Sequence, residues 1–71
     1  MLFGQALSKV MKEKGVDAVT LSRLSGVNTP YISKIRSGKI SDPTFTKACA
    51  LIFALGMTPD EFCKIRSGDE S

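Results

Sequence analysis

The stretch that decides the fold is DAVTLSRLSGVNTPYISKIRSG, residues 17–38. It reads as two short helices joined by a glycine turn. Asp17 is a good N-cap residue, and Leu21 and Leu24, three apart, give the first helix an apolar edge that Gly26 ends. Asn28 or Thr29 caps the second helix, with Asn28 slightly favoured. Pro30 falls in its first turn, where the missing N–H costs nothing. Ile32 and Ile35 form its buried edge, and Arg36-Ser37-Gly38 ends it with cations followed by a residue that accepts positive φ. The spacing predicts helices over about 18–25 and 29–37. Two short helices crossing closely need a left-handed turn residue, a small side chain at the crossing, an apolar plug and inward anchors. Gly26, Ser22, Val27, and Leu21 with Ile32 and Ile35 supply them.

Upstream, Phe3, Ala6, Leu7, Val10 and Met11 fall on one helical stripe, predicting a helix over about 2–14 that stops at Lys14-Gly15. Downstream, Lys39-Ile40-Ser41-Asp42-Pro43 is a polar connection. Thr44 then caps a fourth helix with Phe45, Ala48, Cys49 and Ile52 inward, ended by Gly56. Thr58-Pro59-Asp60-Glu61 is a capping box opening a fifth helix, with Phe62 and Ile65 facing inward. The sequence Lys-Ile-Arg-Ser-Gly recurs at 34–38 and 64–68, which reflects shared helix-ending chemistry rather than a repeat fold. No segment alternates as a strand pair does. The expectation is an all-α, five-helix bundle over residues 1–66, with 67–71 a frayed tail.

A chain of 71 residues makes one domain and is too short for a two-domain enzyme with a closed cleft. Histidine, the commonest general base and metal ligand, is absent. Cys49 and Cys63 have no other ligand type near them and cannot make a four-ligand zinc site; two buried thiols in a reducing compartment are expected. There is also no glycine-rich phosphate loop, so neither catalysis nor a cofactor or metal is expected. The N-terminus has no signal-peptide pattern. The longest apolar run, Ala48 to Leu55, is far below the about 20 residues of a membrane span, so a cytoplasmic protein is expected. Charge is unevenly spread. Residues 1–47 carry eight Lys and Arg against three acids, net +5, whereas 48–71 carry two against four, net −2. A basic front part suits a polyanionic partner.

The two-helix stretch resembles the helix-turn-helix of the phage repressor and Cro family, the lambda repressor-like DNA-binding domains. The likeness extends through Gly38, Lys39, Asp42-Pro43-Thr44 and Ala54-Leu55-Gly56-Met57-Thr58-Pro59-Asp60-Glu61-Phe62, covering roughly residues 3–65. It implies a sequence-specific regulator of transcription, typically a repressor, whose third helix lies in the major groove of double-stranded DNA. The matching base-reading positions are Thr29, Pro30, Tyr31, Ser33 and Lys34, which are also what remains exposed once Ile32 and Ile35 turn inward. Lys34 suits guanine O6 or N7, and Thr29 and Ser33 suit either base type. Tyr31 has two readings: its hydroxyl on a phosphate, or its ring over the helix start. Lys39, Arg36 and Ser37 are expected on phosphates, with Arg23 and Lys47 behind them, while Lys9, Lys12 and Lys14 form the wet face of the first helix.

One residue departs from the family pattern. Where the family commonly has a glutamine opening the second helix and holding a phosphate, this chain has Ala18. The resemblance also implies a homodimer on a two-fold site, with Ile40, Phe53, Met57 or the fifth helix as candidate contacts. The alternative is an antitoxin or other protein-interaction module of the same fold, meeting a protein partner through the acidic 60–71 segment.

Overall fold

The computed structural model describes residues 1–68 and contains five helices: α1 (Phe3–Lys14), α2 (Ala18–Ser25), α3 (Thr29–Ser37), α4 (Phe45–Ala54) and α5 (Pro59–Ser67). No strand occurs among the described residues. Local capping chemistry sets the boundaries. Asp17 Oδ1 accepts from the Thr20 N–H at 2.8 Å, and Asn28 Oδ1 accepts from the Tyr31 N–H at 2.8 Å, so Asn28 is the cap of α3 and Pro30 its second residue. The Thr58 hydroxyl accepts from the Glu61 N–H at 3.2 Å, while Glu61 Oε1 accepts from the Thr58 N–H at 2.9 Å, closing the expected capping box. At Gly26 φ is 78°, a left-handed turn that an L side chain resists, and Gly38 ends α3 likewise at 87°.

The core is one contiguous cluster. Phe3, Ala6, Leu7, Val10 and Met11 of α1 meet Leu21 and Val27, Ile32 and Ile35 of α3, Leu51, Ile52 and Leu55 of the α4 segment, and Phe62 of α5. The Phe3 and Phe62 rings lie 4.8 Å apart, tilted by 45°, so α1 closes on α5 through an aromatic pair. α3 packs on α1 and α2, α4 on α2 and α5, and α5 on α1. The Met1 amine donates to the Arg66 carbonyl at 2.6 Å, joining the start of α1 to the end of α5.

Three inward assignments are corrected. Leu24 is 61% exposed: α2 makes barely two turns, Leu21 fills its core position, and Leu24, about 60° round the axis, falls off the contact. Phe45 is 83% exposed, because it is the first residue of α4 and precedes the turn that engages the core. The thiols are not buried as expected: Cys49 is half-buried and Cys63 exposed, both free, on opposite sides of an α4–α5 groove floored by Phe3, Ile52 and Phe62. Ser67 lies within α5 and Gly68 caps it; the rest of the expected tail, 69–71, lies outside the described residues.

Candidate nucleic-acid interface

The outer face of α3 follows from its inner one. Ile32 and Ile35 are fully buried, which fixes the helix about its axis. Pro30, Ser33, Lys34, Arg36 and Ser37 are then exposed, and Thr29 and Tyr31 are half-buried along its flanks. Side chains near both ends of the helix also contact neighbouring helices. At the N-terminal end, the Lys47 ammonium from the first turn of α4 lies 4.0 Å from the centroid of the Tyr31 ring. At the C-terminal end, Arg36 Nε donates to Ser8 Oγ of α1 at 3.1 Å, a bond between residues 28 apart in sequence.

Gly4 completes the C-terminal anchor. A Cβ on Gly4 would collide with the Ile35 carbonyl oxygen and lie 2.9 Å from its carbon and 3.3 Å from Arg36 Cα. α1 and the last turn of α3 therefore meet main chain to main chain, a contact no larger residue allows. A glycine inside an otherwise good helical pattern is a sequence signal for such an approach, but the reading above did not use it. Ser8 was missed as well, and nothing local to it marks its role.

The expected phosphate-facing residues are distributed around α3. Lys39 is exposed in the loop beyond Gly38, where the Ile40 N–H donates back to the Lys34 carbonyl at 3.1 Å and closes the end of the helix. The Ser37 hydroxyl donates to the same carbonyl at 3.2 Å, leaving its lone pairs outward. Arg23 is exposed in the last turn of α2. Lys47 is exposed, with its ammonium engaged on Tyr31. At the start of α2, the N–H of Thr20 and then its hydroxyl hold the Asp17 carboxyl below the ordinary carboxylate range, so it is ionised at neutral pH.

Ala18, Ser8, Thr29, Ser33, Arg36 and Ser37 together line an open notch where α1, α2 and α3 meet. The structure thus brings Thr29 and Ser33 together with Arg36 and Ser37, and sets Tyr31 and Lys47 apart from them on the α4 side. The exposed side of α3 carries a proline ring in its first turn, the Ser33 hydroxyl, and the Lys34 ammonium and Arg36 guanidinium in its last turn, with Lys39 exposed just beyond. Such an arrangement presents donors to phosphates at its edges and to base edges at its centre.

Residues 6–66 match a family described as the Cro/C1-type HTH DNA-binding domain. Neither curated proteins nor solved structures yield a significant match. Among the described residues, no helix is long and apolar enough to cross a membrane.

Proposed function

The chain belongs to the family of Cro/C1-type HTH DNA-binding domains, and from that premise we propose that it is a sequence-specific regulator of transcription, a repressor that binds a two-fold DNA site as a homodimer. The observation that carries the reading is the division of α3. Ile32 and Ile35 are fully buried, while Pro30, Ser33 and Lys34 stand exposed, with the exposed cations Arg36 and Lys39 following at the C-terminal end of the helix. In this reading Lys34 donates to guanine, Ser33 and Pro30 contact neighbouring base edges, and Lys39 holds the backbone. The half-buried Tyr31 orients α3 through its ring and Lys47. The chain acts by binding rather than by catalysis, consistent with a sequence that has no histidine to serve as a general base.

The dimer is assigned to the α4–α5 side, away from α3. Phe45 and Phe53 are 83% and 60% exposed, and Phe45 lines the mouth of an apolar groove between these helices. A large exposed aromatic bordering such a groove, with a second exposed on the same helix, suits a protein contact.

Selection of bound duplexes from a random pool at stated salt tests the reading. The expected result is a two-fold consensus with half-sites about one helical turn apart. Sedimentation should show two chains per duplex. A pool that returns no sequence preference overturns specificity, and a strict monomer both free and on the selected duplex overturns the dimer.

A further inference from the structure

The sequence Lys-Ile-Arg-Ser-Gly ends both α3 and α5, and in each helix its arginine turns towards α1. The outcomes differ. Arg36 Nε donates to Ser8 Oγ. Arg66 meets no hydroxyl: its guanidinium carbon lies 5.7 Å from the centroid of the Phe3 ring. Its Nε is buried and has no hydrogen-bond partner among the described residues. A buried donor without an acceptor is costly, so an acceptor that could reach this side chain would be held there.

Arg66 lines the α4–α5 groove, whose floor is Phe3, Ile52 and Phe62 and whose sides include Cys49 and Cys63. The cavity measures about 320 Å³, which is within the ~300–1,000 Å³ of small-molecule sites. Its lining is apolar apart from two charges, Arg66 and Asp42. No ion pair joins those two among the described residues, so the guanidinium charge is not neutralised from within the groove. The lining holds no hydroxyl, amide or second cation, which disfavours sugars and nucleotides. What remains is an apolar trough with one planar, cationic fork, and such a fork takes a carboxylate by two parallel N–H donors.

We propose that this groove binds a small organic acid, with its carboxylate on Arg66 and its apolar body on Phe3, Ile52 and Phe62. The site is separate from the DNA-binding reading, since no residue of α3 lines the groove. It lies on the side assigned above to the dimer, with Phe45 at its mouth, so a bound acid would sit where two chains meet.

The test uses the full chain without DNA and two probes of equal length, decanoate and decanol, each below the concentration at which it aggregates, with binding read by calorimetry. Decanoate should bind once per chain and about tenfold more tightly than decanol. Arg66→Gln should bring the two probes level by weakening decanoate alone. Asp42→Asn, which removes the opposing charge, should tighten decanoate about twofold. Bound decanoate should slow the alkylation of Cys49 and Cys63 by iodoacetamide. Because Arg66 also packs on Phe3, a second variant guards against misfolding: Cys63→Phe narrows the groove from an exposed position and should weaken both probes. The proposal is overturned if decanoate and decanol bind the wild type alike, if Arg66→Gln keeps the full preference for the acid, or if the acid binds while both thiols react at their original rate. A chain that sediments as a dimer and takes up no decanoate would show the groove filled by a second copy, which overturns it as well.

Discussion

Gly4 of α1 lies against the carbonyl of Ile35 in the last turn of α3, closer than any side chain would permit. The exposed helix is therefore braced from behind by main chain rather than by a deformable side chain. Ser8, one turn further along α1, then reaches Arg36 next door. One helix thus both seats α3 and orients a cation on it.

Replacing Gly4 with alanine should destabilise the fold, although alanine is favoured in a helix by about 1 kcal/mol. The added Cβ must displace main-chain atoms of Ile35 and Arg36, and overpacking of this kind costs about 1–3 kcal/mol or more. The net expectation is a thermal midpoint lower by about 5–15 °C. A variant as stable as the wild type would show that α1 and α3 are not in backbone contact.

The two leucines of α2 should behave oppositely despite their regular spacing. Leu21 is fully buried and Leu24 is 61% exposed. Leu21→Ala should cost about 2–5 kcal/mol in denaturant unfolding, whereas Leu24→Ala should stay within about 0.5 kcal/mol. Equal losses would contradict the packing of α2.

Lys34 and Lys39 divide recognition between them in the proposed complex. Lys34→Ala should weaken the selected duplex more than random DNA, by about 1–3 kcal/mol, and relax the preference at one base pair. Lys39→Ala should weaken both duplexes alike and lower the salt slope by about 1. Identical behaviour of the two variants would reject the division into base reader and backbone anchor.

The Lys47–Tyr31 contact should appear as a modest coupling. A double-mutant cycle with Lys47→Met and Tyr31→Leu should return about 0.5–1 kcal/mol, since the site is partly exposed. Tyr31→Phe keeps the ring and should retain most of it. Zero coupling would remove Lys47 from the support of α3.

The caps make stability depend on pH in the acid range. Hydrogen bonds from Thr20 to Asp17, and from Thr58 to Glu61, hold both folded carboxyls below their ordinary values of 3.8 and 4.5. As pH falls, the unfolded chain takes up these protons first. The caps therefore contribute fully above the ordinary values, and their contribution is lost as pH drops through the lower, folded ones. The thermal midpoint should fall from pH 6 to pH 3, and less steeply in Asp17→Asn with Glu61→Gln. A variant with an unchanged slope would place the acid sensitivity elsewhere.

The helix boundaries were legible because they are written in local chemistry. Asp17, Asn28, Thr44 and Thr58 each accept a hydrogen bond from an N–H three residues on, a contact that depends on nothing distant. The α1 stripe was legible for a similar reason: three turns of consistent spacing leave one choice of face. Leu24 and Phe45 were misplaced because two residues three apart, or one at a helix end, do not fix the phase of a short helix. Of the interface, the outward set on α3 could be read once its two isoleucines were turned in. The Ser8–Arg36 bond could not, because it depends on how α1 settles against α3, and no spacing within either helix encodes that.

Gly38 stops α3 after nine residues. At 1.5 Å per residue the helix is about 13 Å long, comparable to about four base pairs of duplex. A word of about four letters recurs by chance every few hundred base pairs, against the millions of competing positions in a genome. In the proposed homodimer the address would be spelled by pairing two such short words at a fixed interval, so the spacing between them would carry as much information as the letters themselves.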